Sequence, residues 1–351
     1  MLKKGDTLLF VSKDMGGAHV GIPLAKLAQK AGYNVMLVAE GLVAPRYEEA
    51  GFRPYFKGAV NFSKGNFRSG AKKVIEKLKP VIVVTTLGVP INLEQEYGLS
   101  ANDLGIPLVF LEDYWGAHVR SQAKPNLVLL IDEIAAESAR LKYNSTTQIA
   151  VVGNYAVSNA LNLEIPDELR KKVEDLRKKF GQVLVFTAGG VHVSSQILLL
   201  AECLKKTPDW VLIPRFHPKS VDLIGPSGKT FGEEWRGLFK EFGEKVVYIQ
   251  SKTTEPLVAL ADATLSDFST LLTTALVFGH SAVSIATAGV RETMKNETGF
   301  TSHPLVETGL VKEIIKPCNL VDYLSKPDLE IKARYLRPYE PEKALQAIEV
   351  L

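Results

Sequence analysis

Twice along the chain, short uninterrupted apolar runs alternate with longer amphipathic stretches. Thr7–Val11, Asn34–Ala39, Pro80–Thr85, Pro107–Leu111 and Asn126–Ile131 make the first series. Gln182–Phe186, Trp210–Ile213, Val246–Ile249, Ala263–Leu265 and Ala282–Ile285 make the second. A strand that is apolar without alternation is buried on both faces, as in a parallel sheet covered by helices. The stretches between the runs carry helical spacing, for example Val20–Ala31, Ser194–Lys206 and Leu271–Phe278. Right-handed crossovers then wind each series into a doubly wound sheet. The pattern predicts an α/β chain with two such domains, 1–158 and 159–335, and a final segment, 336–351, that carries a helix. A length of 351 residues suits two domains of ordinary size. Ligands of open α/β sheets bind at the carboxyl ends of the strands, so the motifs that matter are those following the apolar runs.

Composition narrows the function. Hydrophobic residues make up 46% and charged residues 23%, the balance of a globular chain rather than a disordered one. No stretch approaches the roughly 18–20 apolar residues of a membrane helix. The N-terminus runs straight into a strand pattern, without the look of a leader. The two cysteines, Cys203 and Cys318, are too few for a disulfide framework or a cysteine-built zinc site, so a reducing, cytoplasmic setting is expected. A net charge of +3 does not argue for nucleic acid. Residues 57–79 concentrate basic side chains (Lys57, Lys64, Arg68, Lys72, Lys73, Lys77, Lys79) around Phe62 and Phe67. They read either as a solvated face or as a surface for an anionic acceptor or for lipid headgroups, a peripheral contact with the inner face of a membrane.

Five strand ends carry chemistry. Ser12–Val20 places Gly16 and Gly17 before an expected helix, with His19 at its mouth. The glycines permit a sharp turn and close approach of an acceptor, and the imidazole there can accept a proton from an acceptor hydroxyl. The competing reading is a plain strand–helix turn with a surface histidine. Phe186–Gly190 repeats the strand–glycine–helix order, and Gly189 and Gly190 would let a diphosphate or sugar reach the backbone. Leu212–Lys219 brings Arg215, His217 and Lys219 to one strand end, a phosphate-binding set or a basic surface turn. Asp262–Thr270 runs into a helix with Ser269 and Thr270 at its start, an anion site or an ordinary cap. Leu111–Val119 offers Glu112, Asp113 and His118 as acid–base candidates, with Tyr114 and Trp115 as a sugar-stacking wall or as core. No dinucleotide fingerprint, Walker loop, zinc spacing or nucleophile elbow is present, so no cofactor and no metal are expected.

These residues carry a resemblance to the two-Rossmann (GT-B) superfamily of nucleotide-sugar enzymes. The Gly-Gly-Ala-His stretch ending at His19 resembles the loop of the lipid-linked N-acetylglucosaminyltransferase of peptidoglycan synthesis. Arg215–Pro218 resembles the Arg-x-His-Pro turn of CDP-glycerol glycerophosphotransferases and UDP-N-acetylglucosamine 2-epimerases. Ser266–Thr270 resembles the Ser-Asp-Tyr-Ser-Ser element of the former, and Val152–Asn154 the Gly-Asn element that enters the second domain. The resemblance implies two Rossmann-like domains facing across a cleft, with the last helix returning to the first domain. It implies a metal-independent transfer of a sugar or polyol phosphate from a UDP- or CDP-linked donor. The donor would lie on Gly189, Gly190, Arg215, His217, Lys219, Ser269, Thr270 and Thr274. A lipid-linked or saccharide acceptor would lie near Gly16, Gly17 and His118, with His19 as first and Asp113 as second general base. Thr274 stands where the glycerophosphotransferases carry an acid, and Asp267–Thr274 lacks the paired glutamates of the epimerases. A transferase is therefore expected. The alternatives are an epimerase-like enzyme and a non-catalytic nucleotide-sugar-binding protein.

Overall fold

The computed structural model describes residues 2–41, 43–55, 67–88, 92–143, 145–188, 192–225 and 227–351. Gly189 and Gly190, together with Lys57, Phe62 and Lys64 of the basic stretch, lie outside the described residues. The chain forms two compact units. One comprises Met1–Tyr155, Glu297–Gly299 and Arg337–Leu351, the other Ala156–Asn296 and Phe300–Leu336.

In the first unit, β1 (Thr7–Ser12), β2 (Asn34–Ala39), β3 (Ile82–Thr85), β4 (Leu108–Leu111), β5 (Leu127–Leu130) and β6 (Gln148–Val151) form a parallel sheet in the order β2-β1-β3-β4-β5-β6. Leu8, Phe10, Val84, Val109 and Leu129 are buried in its core with Val20, Leu24 and Ala28 of the Met15–Lys30 helix. The C-terminal Pro341–Glu349 helix adds Ala344, Leu345 and Ile348 to the same core, and Tyr33 Oη donates to Glu349 Oε1 at 2.8 Å. A short return stitch precedes it. Asn154 N–H donates to Arg337 O at 2.9 Å and Glu340 N–H to Val152 O at 2.7 Å.

In the second unit, β7 (Gln182–Ala188), β8 (Trp210–Phe216), β9 (Ala263–Ser266), β10 (Ser281–Ile285) and β11 (Val311–Ile314) form a parallel sheet in the order β11-β10-β9-β7-β8. Its core gathers Phe186, Trp210, Leu212, Leu265 and Val283 with Ile197, Trp235 and Phe239 from the covering helices. Strand order reverses at β1/β3 in one sheet and at β7/β9 in the other. Helices leave in opposite directions there, and open α/β sheets take ligands at such points.

Two expectations need correction. Val246–Ile249 is not a strand: Val246 makes one isolated parallel bridge with Leu212, and the carbonyls of Ile249 and Ser251 are taken by Arg215 instead of a ladder. Conversely, β6 and β11 are strands that the apolar-run criterion passes over. Both are sheet edges. Their sequences, Gln-Ile-Ala-Val and Val-Lys-Glu-Ile, carry polar residues because only part of an edge strand is covered. No helix among the described residues is long and apolar enough to cross a membrane. In the basic stretch, Arg68 is paired with Asp103 at 2.8 Å.

Candidate functional site

The edge of the first sheet is built on the start of the Met15–Lys30 helix. The helix begins at Met15, five residues before the expected Val20, because Asp14 caps it: its Oδ1 accepts from Gly17 N–H at 2.9 Å. Gly16 and Gly17 are therefore helical, not a turn. Their lack of a side chain serves close approach. A Cβ on Gly16 would overlap Oδ2 of Asp113, and one on Gly17 would overlap Oγ1 of Thr86. Gly88, just past β3, has the same role, since its Cβ would lie 2.8 Å from Asp14 Oδ2 and 3.0 Å from Glu94 Oε1.

Three carboxyl groups thus meet at one helix end. Glu94 is buried, and its Oε1 accepts from the N–H groups of Lys13 at 3.0 Å and Gly88 at 3.3 Å. Burial pushes it up to about 7, with the Asp14 charge adding to the shift and the two amides opposing it. Asp113 is raised well above the ordinary carboxyl range, first by burial and then by Asp14, with the Arg120 cation opposing. Arg120 lies over the Tyr114 ring at 5.2 Å and donates through Nη2 to Leu87 O at 2.8 Å. Leu87 itself has a φ of 56°, an uncommon conformation for a branched side chain. Neither Asp14 nor Glu94 was among the expected site residues. An Asp before a glycine-led helix is an N-cap signal that the sequence does carry. Glu94 gives no such signal.

His19 is exposed in the second turn of that helix and its ring stacks on Tyr155, with centroids 5.1 Å apart. It stands three residues after Gly16, so it shares the helix face against which Asp113 lies. His118 does not belong to this edge. It is wholly buried, its backbone N–H and Nδ1 both directed at Glu112 Oε1, at 2.5 and 2.6 Å. The structure thus does not bring it together with Gly16 and Gly17. Lys142 completes that knot by donating to the carbonyls of His118, Val119 and Ser121 at 2.6–2.9 Å. Trp115 is likewise core, its Nε1 donating to Asp132 Oδ2 at 2.7 Å, so it offers no sugar-stacking wall.

The edge of the second sheet is built from hydroxyls and helix starts. β9 leads through Asp267 and Phe268 to Ser269, which caps the Thr270–Val277 helix by accepting from Leu271 N–H at 3.2 Å. Beside it, Thr187 Oγ1 donates to Ser266 Oγ at 2.8 Å. His192 precedes the Val193–Leu204 helix, and its Nε2 lies 3.0 Å from Thr293 Oγ1. His217 is exposed just past β8 and its N–H donates to Ala188 O at 3.0 Å. Behind Phe268, the buried His303 is pushed down to about 3 by burial and stays neutral.

Two expected donor residues are placed differently. Arg215 braces the 249–254 loop, donating through Nη1 to Ile249 O and through Nη2 to Ser251 O, both at 2.9 Å. Two of its five N–H groups are thereby committed, and a third lies 3.4 Å from Thr254 Oγ1. Thr274 is 2% exposed, among the buried residues of its helix. Lys219 lies in the short Pro218–Val221 helix; its side chain, like Gly189 and Gly190, is outside the described residues. The sheet order sets His217, Ser269 and Thr270 on one edge.

No protein-family model matches the chain, and no curated protein matches it. Solved structures do. A UDP complex of MnaA from S. aureus superposes with a TM-score of 0.67 at 13% identity, covering 98% of this chain and 96% of that one. The UDP-GlcNAc 2-epimerase from Methanocaldococcus jannaschii gives 0.61 at 16% identity, covering 98% and 100%. MurG from Acinetobacter baumannii gives 0.56 at 15% identity, covering 99% and 100%. At such identities the likeness is one of fold, and it extends over nearly the whole of each chain. With two parallel sheets of six and five strands, each reversing its order at one point, the chain has the two-Rossmann fold of the GT-B superfamily.

Proposed function

We propose that the chain is a nucleotide-sugar enzyme of the GT-B kind. It transfers a sugar, or a polyol phosphate, from a nucleotide-activated donor to an acceptor hydroxyl without a metal. The observation that carries this reading is the Asp113 carboxyl lying on the Gly16 backbone beside Asp14 and Glu94. A carboxyl whose basicity burial has raised accepts a proton readily once it is ionised, and it sits where a strand-end ligand would present its hydroxyl. The UDP and UDP-GlcNAc held by fold relatives from S. aureus and M. jannaschii support the donor class.

The chemistry follows from the residues of each edge. Asp113 takes the proton of the acceptor hydroxyl as its oxygen attacks, and His19, on the same helix face, contacts the acceptor. At the second sheet, the start of the Thr270–Val277 helix and the side chain of His217 receive the diphosphate. The positive end of the helix stabilises the charge that grows on the leaving group. Gly189, Gly190 and Lys219 join this set in the proposal, and Arg215 shapes it by holding the 249–254 loop.

The 2-epimerase reading is the alternative to transfer. The two separate cleanly in deuterium oxide. A transferase releases nucleotide only when an acceptor is present and leaves the donor's C2 proton in place. An epimerase exchanges that proton without an acceptor. For the transferase, Asp113→Asn lowers turnover by about 10²–10⁴-fold while donor affinity stays within about twofold. Unchanged turnover in that variant, or C2 exchange in the wild type, contradicts the proposal.

A further inference from the structure

The chain's two cysteines lie 115 residues apart in sequence, yet their sulfurs are 3.6 Å apart in the second unit. Cys203 is buried in the last turn of the Val193–Leu204 helix, and Cys318 follows β11 and is partly exposed. The Cys318 N–H donates to Cys203 Sγ at 3.4 Å, and Leu320 N–H donates to Thr207 Oγ1 at 3.0 Å. The backbone on both sides is therefore held in place while the thiols face each other. We propose that Cys203 and Cys318 are a thiol pair that a hydroperoxide converts into an intramolecular disulfide.

From a contact of this length the sulfurs need close only to the roughly 2.05 Å of a bond. The exposed partner reacts first. The Cys318 thiolate attacks the outer oxygen of the hydroperoxide, the O–O bond breaks, and a sulfenic acid and an alcohol or water result. The Cys203 sulfur then attacks the Cys318 sulfur, and the sulfenic oxygen leaves as water. Two thiols have lost two electrons and two protons, and one hydroperoxide has been reduced. Burial and the neighbouring thiol push the Cys318 thiol up, so the first step quickens as the solution becomes more alkaline. The pair stands apart from the proposed transfer chemistry, because it joins the end of the Val193–Leu204 helix remote from His192 to the segment after β11.

The test uses the reduced full chain, treated with hydrogen peroxide at pH 7 and pH 9 and then denatured without reductant. Expected are a mass loss of about 2 Da, a fall in titratable thiols from two to none, and a Cys203–Cys318 cross-linked peptide, all reversed by dithiothreitol. The reaction should run faster at pH 9. In Cys203→Ser the same treatment should leave Cys318 as a sulfenic acid, trapped by dimedone, with no mass loss. Cys318→Ser, altered at the more exposed position, should leave Cys203 unreacted. Retention of both thiols, oxygen addition without cross-linking in the wild type, or a disulfide only between molecules would overturn the proposal.

Discussion

Glu94 shows how one side chain can be both a structural tie and a source of pH sensitivity. It joins the loop after β1 to the loop after β3 through two amides, yet its burial favours the protonated form. The folded state therefore keeps its proton to a higher pH than the unfolded chain does. Stability contributed by this site falls as pH rises from the ordinary 4.5 to about 7 and is level above that. Glu94→Gln keeps the acceptor and removes the charge. Urea unfolding should show it level with wild type at acid pH and more stable at pH 8, by at most about 3 kcal/mol; parallel curves across pH would deny the burial effect. Gly16 gives a second residue-scale prediction. Gly16→Ala adds helix propensity worth up to about 1 kcal/mol but drives a methyl into the Asp113 carboxylate, a clash costing about 1–3 kcal/mol. In an Asp113→Ala background the same change should become stabilising. Unfolding midpoints of the four proteins test this, and strict additivity would separate Asp113 from the helix start.

At the scale of elements, what the sequence discloses depends on how completely each element is covered. Strands β1, β4, β5 and β7 are apolar along their length because both faces are buried, and they can be read directly. β6 and β11 are edges with polar residues, and Val246–Ile249 has an apolar run whose backbone partners lie elsewhere. The first helix starts earlier than its apolar spacing suggests, because Gly16 and Gly17 are helical and close packing of Asp113 and Thr86 is what excludes side chains there. The Gly-Asn element is a different case, since its glycine has a φ of 89° and its missing Cβ would overlap Pro338 O. The second condition arises because residues 337–340 return beside Val152–Asn154. Gly153→Ala should cost about 2–4 kcal/mol, read as a lowered thermal midpoint. A neutral result would mean that the return stitch contributes little.

For the whole molecule, the two-sheet organisation was legible because buried parallel strands leave a one-dimensional trace. The site was legible only in part. Ser269 and His217 follow strands and could be placed by position. Glu94 came into view only when β3 and β1 lay side by side, and the sequence could not show that Arg215 braces a loop or that His118 and Thr274 are buried. The proposed transfer requires that the carboxyl end of the second sheet receive a nucleoside diphosphate. Calorimetry of the full chain against UDP, CDP, GDP and TDP tests it most directly. One of the four should bind with a Kd between about 1 μM and 1 mM, the ordinary range for enzyme substrates. Ser269→Ala with His217→Ala should weaken binding at least about tenfold, the loss of one charge-assisted hydrogen bond, while Asp113→Asn should not change it. No binding of any of the four at millimolar concentration, or binding indifferent to the second-sheet pair, would mean that this sheet does not hold the donor.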